Sequence, residues 1–424
     1  MCQQVPRGHQ YSVGQVLLFV SLVLSACAPL RCAGRIFEIL DGCLPVSLGR
    51  PHWSTGRLWL LRLGHYKLTR AKQQADDWVW MIDHTNQIGV EKCLIVLGIR
   101  LCDLPEAGQC LRHEDMELID LIPTVCANKE IVFGQLQAAV AKTGVPRLIL
   151  DDHGAELTGA VKRFRQQHPQ TDEIYDIKHK AACLLKRRLE KDATWKDFCR
   201  QVGQTKFQVQ QTELAFLVPP SQRSKARFMN LEPLVRWARQ TLEMLDRQPP
   251  EVLRHVTTER LDEKLGWLRA FREPLGEWSE FVAVLETVQH HVRTQGLSQQ
   301  TPQRLGPVLE ALATTPRSRM LRDELLAFVT AESSKARNGE RLPGTTEVLE
   351  SCIGKLKSLE RDQHKSGLTG LLLGLGAIVS KTTADVVHRA LESSSTKSVR
   401  QWCRNNLGQT VQTKRKHAYQ TANT

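Results

Sequence analysis

The sequence predicts an α/β protein with a mixed sheet, preceded by a helical region and interrupted by a largely helical insertion. The order of elements between residues 76 and 192 carries the first part: three apolar runs typical of strands are followed by helix, strand, helix, strand and helix. Residues 193–337 show helical periodicity and no strand pattern. The 424 residues, 41% hydrophobic and 24% charged, have the composition of a globular protein with a sizeable core.

The chain is strongly basic, with 58 Lys and Arg against 45 Asp and Glu and a net charge of +13. This excess favours a polyanionic partner, nucleic acid first and an anionic membrane surface second; the alternative is a merely soluble basic protein. The 12 cysteines are scattered and none has CxxC spacing. A cysteine zinc site and a disulfide framework are therefore not expected, and reduced thiols in a cytoplasm are the simpler interpretation.

An apolar run near the start, "QVLLFVSLVLSAC" from Gln15 to Cys27, allows two hypotheses. It resembles a lipoprotein signal that would tether the chain by lipid on Cys27, although Arg7 is the only strong positive charge before it. It is too short for a transmembrane span, which needs about 20 apolar residues. The other hypothesis is a buried helix over residues 12–28, apolar nearly all round and ended by Pro29.

Two more helices are predicted in the N-terminal region, over residues 30–42 and 54–72, the latter capped by Ser54 or Thr55. Three short helices with a basic third helix fit a helix-turn-helix reader of the DNA major groove, so residues 1–75 are predicted to bind DNA. The alternative is a helical bundle that only packs on its neighbour. The predicted DNA contacts are the basic side chains of the third helix: Arg57, Arg62, Lys67 and Arg70.

The first part of the core is predicted over residues 76–192. Its strands are "WVWMID" (78–83), "KCLIVLGIRL" (92–101), "MELIDLIP" (116–123), "PRLILDDHG" (146–154) and "EIYDI" (173–177), with "HTNQIG" as the first turn. Helices are predicted over 129–144, 155–168 and 178–192. After the insertion comes a flexible basic loop, then the closing helices within 338–395, beginning with "EVLESCIGKLKSLE". The basic tail, residues 396–424, is predicted to be irregular.

Carboxylates at the ends of two apolar strands are the first candidates for chemistry. Asp83 follows "WVWMI" and Asp152 follows "RLILD", and catalytic groups of α/β proteins collect where strands end. Either could instead be a solvated boundary residue. In the late helix Glu347, Glu350 and Lys357 fall on one face, and their spacing does not choose between the two glutamates. A surface ladder of charges is the alternative for that face.

Three carboxylates on an α/β scaffold in a basic protein indicate two-metal phosphodiester chemistry. Carboxylate oxygens suit Mg²⁺, with Mn²⁺ as a substitute, and two such ions can activate an attacking oxygen and stabilise a leaving one. We therefore expect two Mg²⁺ ions as cofactors and DNA as the substrate.

The segments "MIDHTNQIGVEKCLIVLGI", "LDDHGAEL", "YDIKHKAACLLK" and "LESCIGKLK" resemble those around the catalytic residues of DDE transposases of bacterial insertion sequences. The resemblance implies an RNase H-like catalytic core with an insertion before the third acid. It implies Asp83 as the first acid and Glu350 as the third, and Asp152 as the second because Asp152-His153-Gly154 fits the family's Asp-x-Gly pattern. These three would hold the metal ions, and Lys357 would contact DNA phosphate.

The resemblance also implies an activity: cleavage of DNA at element ends and joining of the freed 3′-OH to target DNA, by a homo-oligomer in the cytoplasm, associated with the nucleoid and without a membrane partner. Asp176 and His179 are similar to an acidic-x-x-His element of several transposase groups, as auxiliary residues; His179 could equally be a core histidine. Pro343 and Thr346 stand where one group has Tyr and Arg, so a hairpin excision mechanism is not implied.

Two alternatives to a transposase are open: a metal nuclease of the same fold that never joins strands, and a catalytically inactive DNA-binding derivative. Either way, a cytoplasmic DNA-binding protein has no use for a lipid anchor. The sequence as a whole therefore favours the buried-helix hypothesis for the apolar run.

Overall fold

The protein is described from a computed structural model, over residues 2–45, 48–86, 91–222, 227–229, 231–361 and 366–421. The chain divides into two compact units. The first comprises Met1–Ile174 and Thr346–Thr424, and the second Tyr175–Thr345. The predicted first turn, residues 84–89, lies partly outside the described residues.

A five-stranded mixed sheet is the centre of the first unit, as the sequence predicts. Its strands lie in the order β3-β2-β1-β4-β5; β1 pairs antiparallel with β2, β2 antiparallel with β3, and β1 parallel with β4. The apolar runs are buried almost along their length, as expected for strands covered on both faces. The strands are β1 Trp78–Asn86, β2 Lys92–Arg100, β3 Glu117–Thr124, β4 Leu148–Asp151 and β5 Asp172–Tyr175.

Two helices follow in the first unit, α4 (Lys129–Thr143) and α5 (Ala155–Gln167), and they pack on each other. Asn128 caps α4 by accepting hydrogen bonds from two backbone N–H groups. The apolar faces of both helices join the side chains of β1, β2 and β4 in one fully buried core, which includes Trp80, Val132 and Phe164. This core holds the ends of β1 and β4 in place.

The N-terminal apolar run forms a helix with one buried face, which includes Val16, Phe19 and Val23. Ser12 and Gln15 close a capping box at its start, and Phe19 packs edge-on against Trp59 with ring centroids 5.5 Å apart. None of the helices in the described part of the chain is long and apolar enough to cross a membrane. The three N-terminal helices are α1 Val13–Leu24, α2 Leu30–Cys43 and α3 Trp53–Thr69, the last capped by His52 rather than by the predicted Ser54 or Thr55.

The closing helices pack around α3. A Cβ atom on Gly64 of α3 would lie 1.8 Å from the carbonyl oxygen of Leu373, so glycine permits this close approach. Residues 1–75 thus belong to the same compact unit as the sheet. The tail predicted to be irregular is helical over most of its described length. The closing helices are α14 Glu347–Arg361, α15 Gly374–Ile378, α16 Ala384–Ser393, α17 Thr396–Asn406 and α18 Val411–Thr421.

The second unit is helical. It covers more of the sequence than the insertion predicted over residues 193–337, because it begins at Tyr175 and ends at Thr345. Trp195, Phe198 and Trp278 form its aromatic core, with ring centroids 4.9 to 5.6 Å apart. Among its described residues, the β-structure is one isolated bridge, Leu297 to Leu342. Its α-helices are α6 Ile177–Leu189, α7 Ala193–Val209, α8 Leu231–Arg247, α9 Pro250–Leu253, α10 Thr258–Leu265, α11 Arg272–Gln295, α12 Thr301–Leu312 and α13 Pro316–Ser333.

Short 3-10 helices complete both units. They span Leu101–Asp103, His113–Asp115, Ala215–Leu217, Arg227–Met229, Gly266–Phe271 and Gly370–Leu373.

Candidate active site

The first two predicted acids come together at the end of β4. The parallel pairing of β1 with β4 joins Met81 to Leu150, and Asp83 and Asp152 each follow two residues later. Both line one cavity of about 310 Å³. One detail of the prediction is corrected: Asp83 lies inside β1, which runs on to Asn86 because β2 pairs with it along its whole length. Asp83 is therefore held on a rigid element.

A tight turn presents Asp152. The Asp152 Oδ1 atom accepts a hydrogen bond from the backbone N–H of Gly154 at 2.9 Å, and Asp151 Oδ1 accepts one from the backbone N–H of His153 at 2.8 Å. His153 has φ +55°, in the left-handed region that residues other than glycine seldom adopt. Two consecutive Asx turns thus connect β4 to α5 and fix the position of Asp152.

Four further polar side chains line the same cavity, those of His84, Asn86, Lys92 and Glu156, and the sequence analysis did not propose them as site residues. The Lys92 Nζ atom lies 2.6 and 2.7 Å from the two carboxylate oxygens of Glu156. The Nδ1 atom of His84 lies 3.8 Å from Glu156 Oε2, and burial lowers the pKa of His84. Available signals were the position of Glu156 in the first turn of α5 and of His84 directly after Asp83.

The charges around the cavity leave it negative. Three carboxylates, those of Asp83, Asp152 and Glu156, face one ammonium, that of Lys92, and an imidazole that burial holds toward its neutral form. Asp83 and Asp152 are partly exposed, so both can be reached from solvent. Hard oxygen donors around a negatively charged, accessible cavity fit Mg²⁺ or Mn²⁺ completed by water.

The third acid comes from α14, which packs against β1. Glu347 and Glu350 are both half-buried, and neither is among the described residues that line the cavity. Cys352 and Ile353 are buried and anchor the helix. Lys357 is exposed, as a phosphate contact requires. The structure thus places α14 against β1, the strand that carries Asp83. It does not decide whether Glu347 or Glu350 is the third acid.

Asp176 and His179 lie in the second unit and form the N-terminal cap of α6. The fully buried Asp176 accepts a hydrogen bond from the backbone N–H of His179 at 2.9 Å, and its Oδ1 atom lies 3.4 Å from His179 Nδ1. A capping aspartate stabilises a helix by about 1 kcal/mol. This contact gives the acidic-x-x-His element a structural role.

Two of the predicted DNA contacts on α3 are corrected by their burial. The Lys67 side chain is fully buried, and its Nζ atom lies 2.6 to 2.8 Å from the carbonyl oxygens of Val379 and Ser380 and from Thr382 Oγ1. Arg62 is also buried and donates to the carbonyl oxygens of two residues of the closing helices. A side chain held in this way does not reach a phosphate, because both cations satisfy backbone oxygens inside the unit.

The other two predicted DNA contacts, Arg57 on α3 and Arg70 directly after it, also have partners within the first unit. Arg70 forms an ion pair with Glu117 and donates to Ser380 Oγ at 3.3 Å. Arg57 is half-buried next to Cys403, and burial lowers its pKa. The helix predicted to read DNA is therefore packed against α15, α16 and α17, and its cations donate to backbone oxygens or pair with Glu117.

A stretch of exposed positive charge without acidic residues lies at the other end of the chain. Residues 393–424 contain six Lys and Arg and no Asp or Glu. All six are exposed. Lys414 lies 2.9 Å from Glu91, which leaves the tail strongly positive. An acid-free stretch of this length was a signal in the sequence. The six residues are Lys397, Arg400 and Arg404 on α17 and Lys414, Arg415 and Lys416 on α18.

Comparison of the chain with models of known protein families finds no match, and comparison with curated proteins finds none either.

Proposed function

We propose that the protein is a DDE transposase that cleaves DNA at element ends and joins the freed 3′-OH to target DNA. The observation that carries the proposal is that Asp83, on β1, and Asp152, directly after the parallel strand β4, line one negatively charged cavity. Carboxylates so placed are what metal-assisted phosphodiester chemistry needs.

The sheet supports an RNase H-like core. It has five strands in the order β3-β2-β1-β4-β5, with antiparallel pairing of β1, β2 and β3 and parallel pairing of β1 with β4, and so is a mixed sheet as the resemblance implies. The helical unit Tyr175–Thr345 falls between β5 and α14, where an insertion before the third acid is expected. On this proposal Glu350 of α14 is the third acid.

Asp83, Asp152 and Glu350 would hold two Mg²⁺ ions, which when bound supply Lewis-acid activation of the attacking oxygen and stabilisation of the leaving one. In cleavage, water attacks phosphorus and the bond to the 3′ oxygen breaks, leaving a 3′-OH and a 5′-phosphate. In joining, that 3′-OH attacks a target phosphodiester and displaces another 3′ oxygen. The rigid placement of Asp83 on β1 and of Asp152 in its turn keeps the reacting groups in line.

DNA would be held by the basic surface of α17 and α18 together with Lys357, in place of α3. Exposed Lys and Arg supply most of the affinity for a phosphate backbone. The six basic residues of α17 and α18 and Lys357 give seven such side chains, all in the first unit. Binding by such a surface depends steeply on salt.

The test uses the purified full-length chain and DNA segments that flank its coding sequence. Cleavage that requires Mg²⁺ or Mn²⁺, followed by joining of a precut end to plasmid DNA, is expected. Asp83→Asn and Asp152→Asn should abolish both reactions and keep DNA binding, whereas the exposed control Asp103→Asn should keep both. Cleavage without joining would show a nuclease, and binding without metal-dependent cleavage would show an inactive derivative; either result overturns the proposal.

A further inference from the structure

A second group of side chains that can bind a metal lies at the same turn. It shares no side chain with the candidate active site. Asp151 ends β4, His153 follows in the turn, and Glu173 lies on β5. One ligand atom from each lies within 4.8 Å of the others. The His153 Nε2 atom is 3.2 Å from Glu173 Oε1 and 3.7 Å from Asp151 Oδ1. These are neighbouring residues to Asp152 but different side chains from those that line the cavity.

One oxygen of this group has no hydrogen-bond partner. Asp151 is fully buried; its Oδ1 atom accepts from the backbone N–H of His153, while Oδ2 has no partner among the described residues. A buried carboxylate without compensation is costly. The buried charge of the Asp151 carboxylate, whose Oδ1 atom lies 3.7 Å from His153 Nε2, therefore calls for a proton or a cation.

We propose that Asp151, His153 and Glu173 bind one divalent transition-metal ion of the zinc class, separate from the ions of the candidate active site. One imidazole nitrogen with two carboxylate oxygens is a ligand set that Zn²⁺ takes, with water in a fourth position. Ligands about 2.1 Å from a tetrahedral ion lie about 3.4 Å apart. The separations of 3.2 and 3.7 Å from His153 Nε2 match that spacing.

Two charged side chains near the three proposed ligands affect the binding of a cation. Arg165 Nη1 lies 3.3 Å from Glu173 Oε2, on the oxygen other than the one near His153. The Asp152 carboxylate, one residue from each ligand of the turn, adds negative charge near Asp151. Three carboxylates and one guanidinium leave a net negative charge around the group. A divalent cation would neutralise that charge once His153 has lost its proton and can act as a ligand.

The ion would connect β4, β5 and the turn between β4 and α5. Two of its ligands flank Asp152 in the chain, and one of them, His153, holds the left-handed φ of +55°. Binding would therefore stabilise that backbone conformation and with it the position of Asp152. This consequence for catalysis rests on the proposed function; the binding of the ion does not.

The experiment titrates Zn²⁺ into the metal-stripped full-length chain by calorimetry, with Mg²⁺ in excess and the exposed cysteines blocked by iodoacetamide. One Zn²⁺ per chain is expected for the native protein, for Asp83→Asn and for the control His168→Ala, a partly buried histidine hydrogen-bonded to Gln137. His153→Ala and Glu173→Gln should each weaken binding by about tenfold or more. Zn²⁺ should raise the melting temperature of the native protein and of neither variant.

Circular dichroism separates loss of the site from loss of the fold, and Glu173→Gln provides a second variant should His153→Ala not fold. Absence of Zn²⁺ binding to the native protein, or tight binding that survives both ligand variants, would overturn the site. Either result leaves Mg²⁺-dependent cleavage by the native protein unaffected, so failure of this site and failure of the proposed function are distinguishable.

Discussion

Lys67 provides the sharpest test of how the N-terminal helices are used. Its ammonium lies within the first unit, 2.6 to 2.8 Å from three oxygen atoms of residues 379–382, and 3.4 Å from the carbonyl oxygen of Ala377. Lys67→Met keeps the length and the apolar stem of the side chain and removes the donors. The oxygens of the segment that packs on α3 then lose their partner while they stay buried.

The size of the effect follows from those contacts. An unsatisfied buried acceptor costs about 1–3 kcal/mol, and removal of a buried ammonium returns part of that cost by avoiding its desolvation. We expect Lys67→Met to lower the free energy of unfolding by about 3 kcal/mol at pH 7. DNA affinity of the folded fraction should stay the same, because the buried side chain does not reach phosphate.

The pH dependence has a definite sign. Burial, Arg70 and Lys72 lower the pKa of Lys67 to about 7, with Glu117 acting in the opposite direction. Between pH 7 and about 10 the unfolded chain binds the proton and the folded chain does not, so stability contributed at this position rises with pH by up to about 1.4 kcal/mol per unit. The stability lost in Lys67→Met should therefore be larger at pH 9 than at pH 7.

Urea unfolding of the native protein and of Lys67→Met at pH 7 and pH 9 measures the loss of stability and its dependence on pH. A DNA titration measures the affinity of the folded protein for DNA. The control is Lys357→Met on α14, an exposed lysine whose loss should change stability by less than about 0.5 kcal/mol and weaken DNA binding. Near-native stability of Lys67→Met together with weaker DNA binding would refute the assignment and restore α3 as a DNA-contacting helix.

Three more outcomes are expected. Glu350→Gln should abolish cleavage with little loss of stability, whereas Glu347→Gln, at the first residue of α14, should cost about 0.5–2 kcal/mol and keep most activity in a cleavage assay; the opposite result would make Glu347 the acid. Loss of Arg400 and Arg404 to Gln should reduce the slope of log affinity against log salt by about 2, unlike a matched change at an exposed arginine of the helical unit. Gly64→Ala should destabilise the first unit by about 3 kcal/mol or more in urea unfolding, because its Cβ would collide with a backbone carbonyl; a loss below 1 kcal/mol would contradict that packing.

The sheet could be predicted because its signal is local. Apolar runs such as those of β1 and β2, bounded by polar residues, predict strands directly, and the third strand and α4 lie within a residue or two of their predicted bounds. The separation of Asp83 and Asp152 could not be predicted, since it depends on which strands pair. The parallel pairing of β1 with β4 sets that separation.

The basic third helix shows why charge alone does not predict which cations of a chain are exposed. Arg62 and Lys67 alternate with leucines in a way that fits either a reading helix or a helix enclosed on all sides. Arg62 and Lys67 are buried by residues more than 300 positions later in the chain, in and next to α15 and α16. The local sequence of α3 does not indicate this packing. Positive charge near backbone carbonyls and positive charge near DNA look the same in sequence.

The paired aspartates Asp151 and Asp152, at the end of β4, illustrate the opposite case, in which one local motif carries two proposals. Asp152 faces the cavity with Asp83, while Asp151 meets Glu173 of β5, as expected where an extended strand sends successive side chains to opposite sides. A single acid at this turn would serve either the cavity or the buried group. The choice of Asp152 as the family's second acid thus leaves Asp151 in need of its own explanation. On the metal site proposed above, a cation held by Asp151, His153 and Glu173 would offset this buried charge and would fix the turn on which Asp152 is presented.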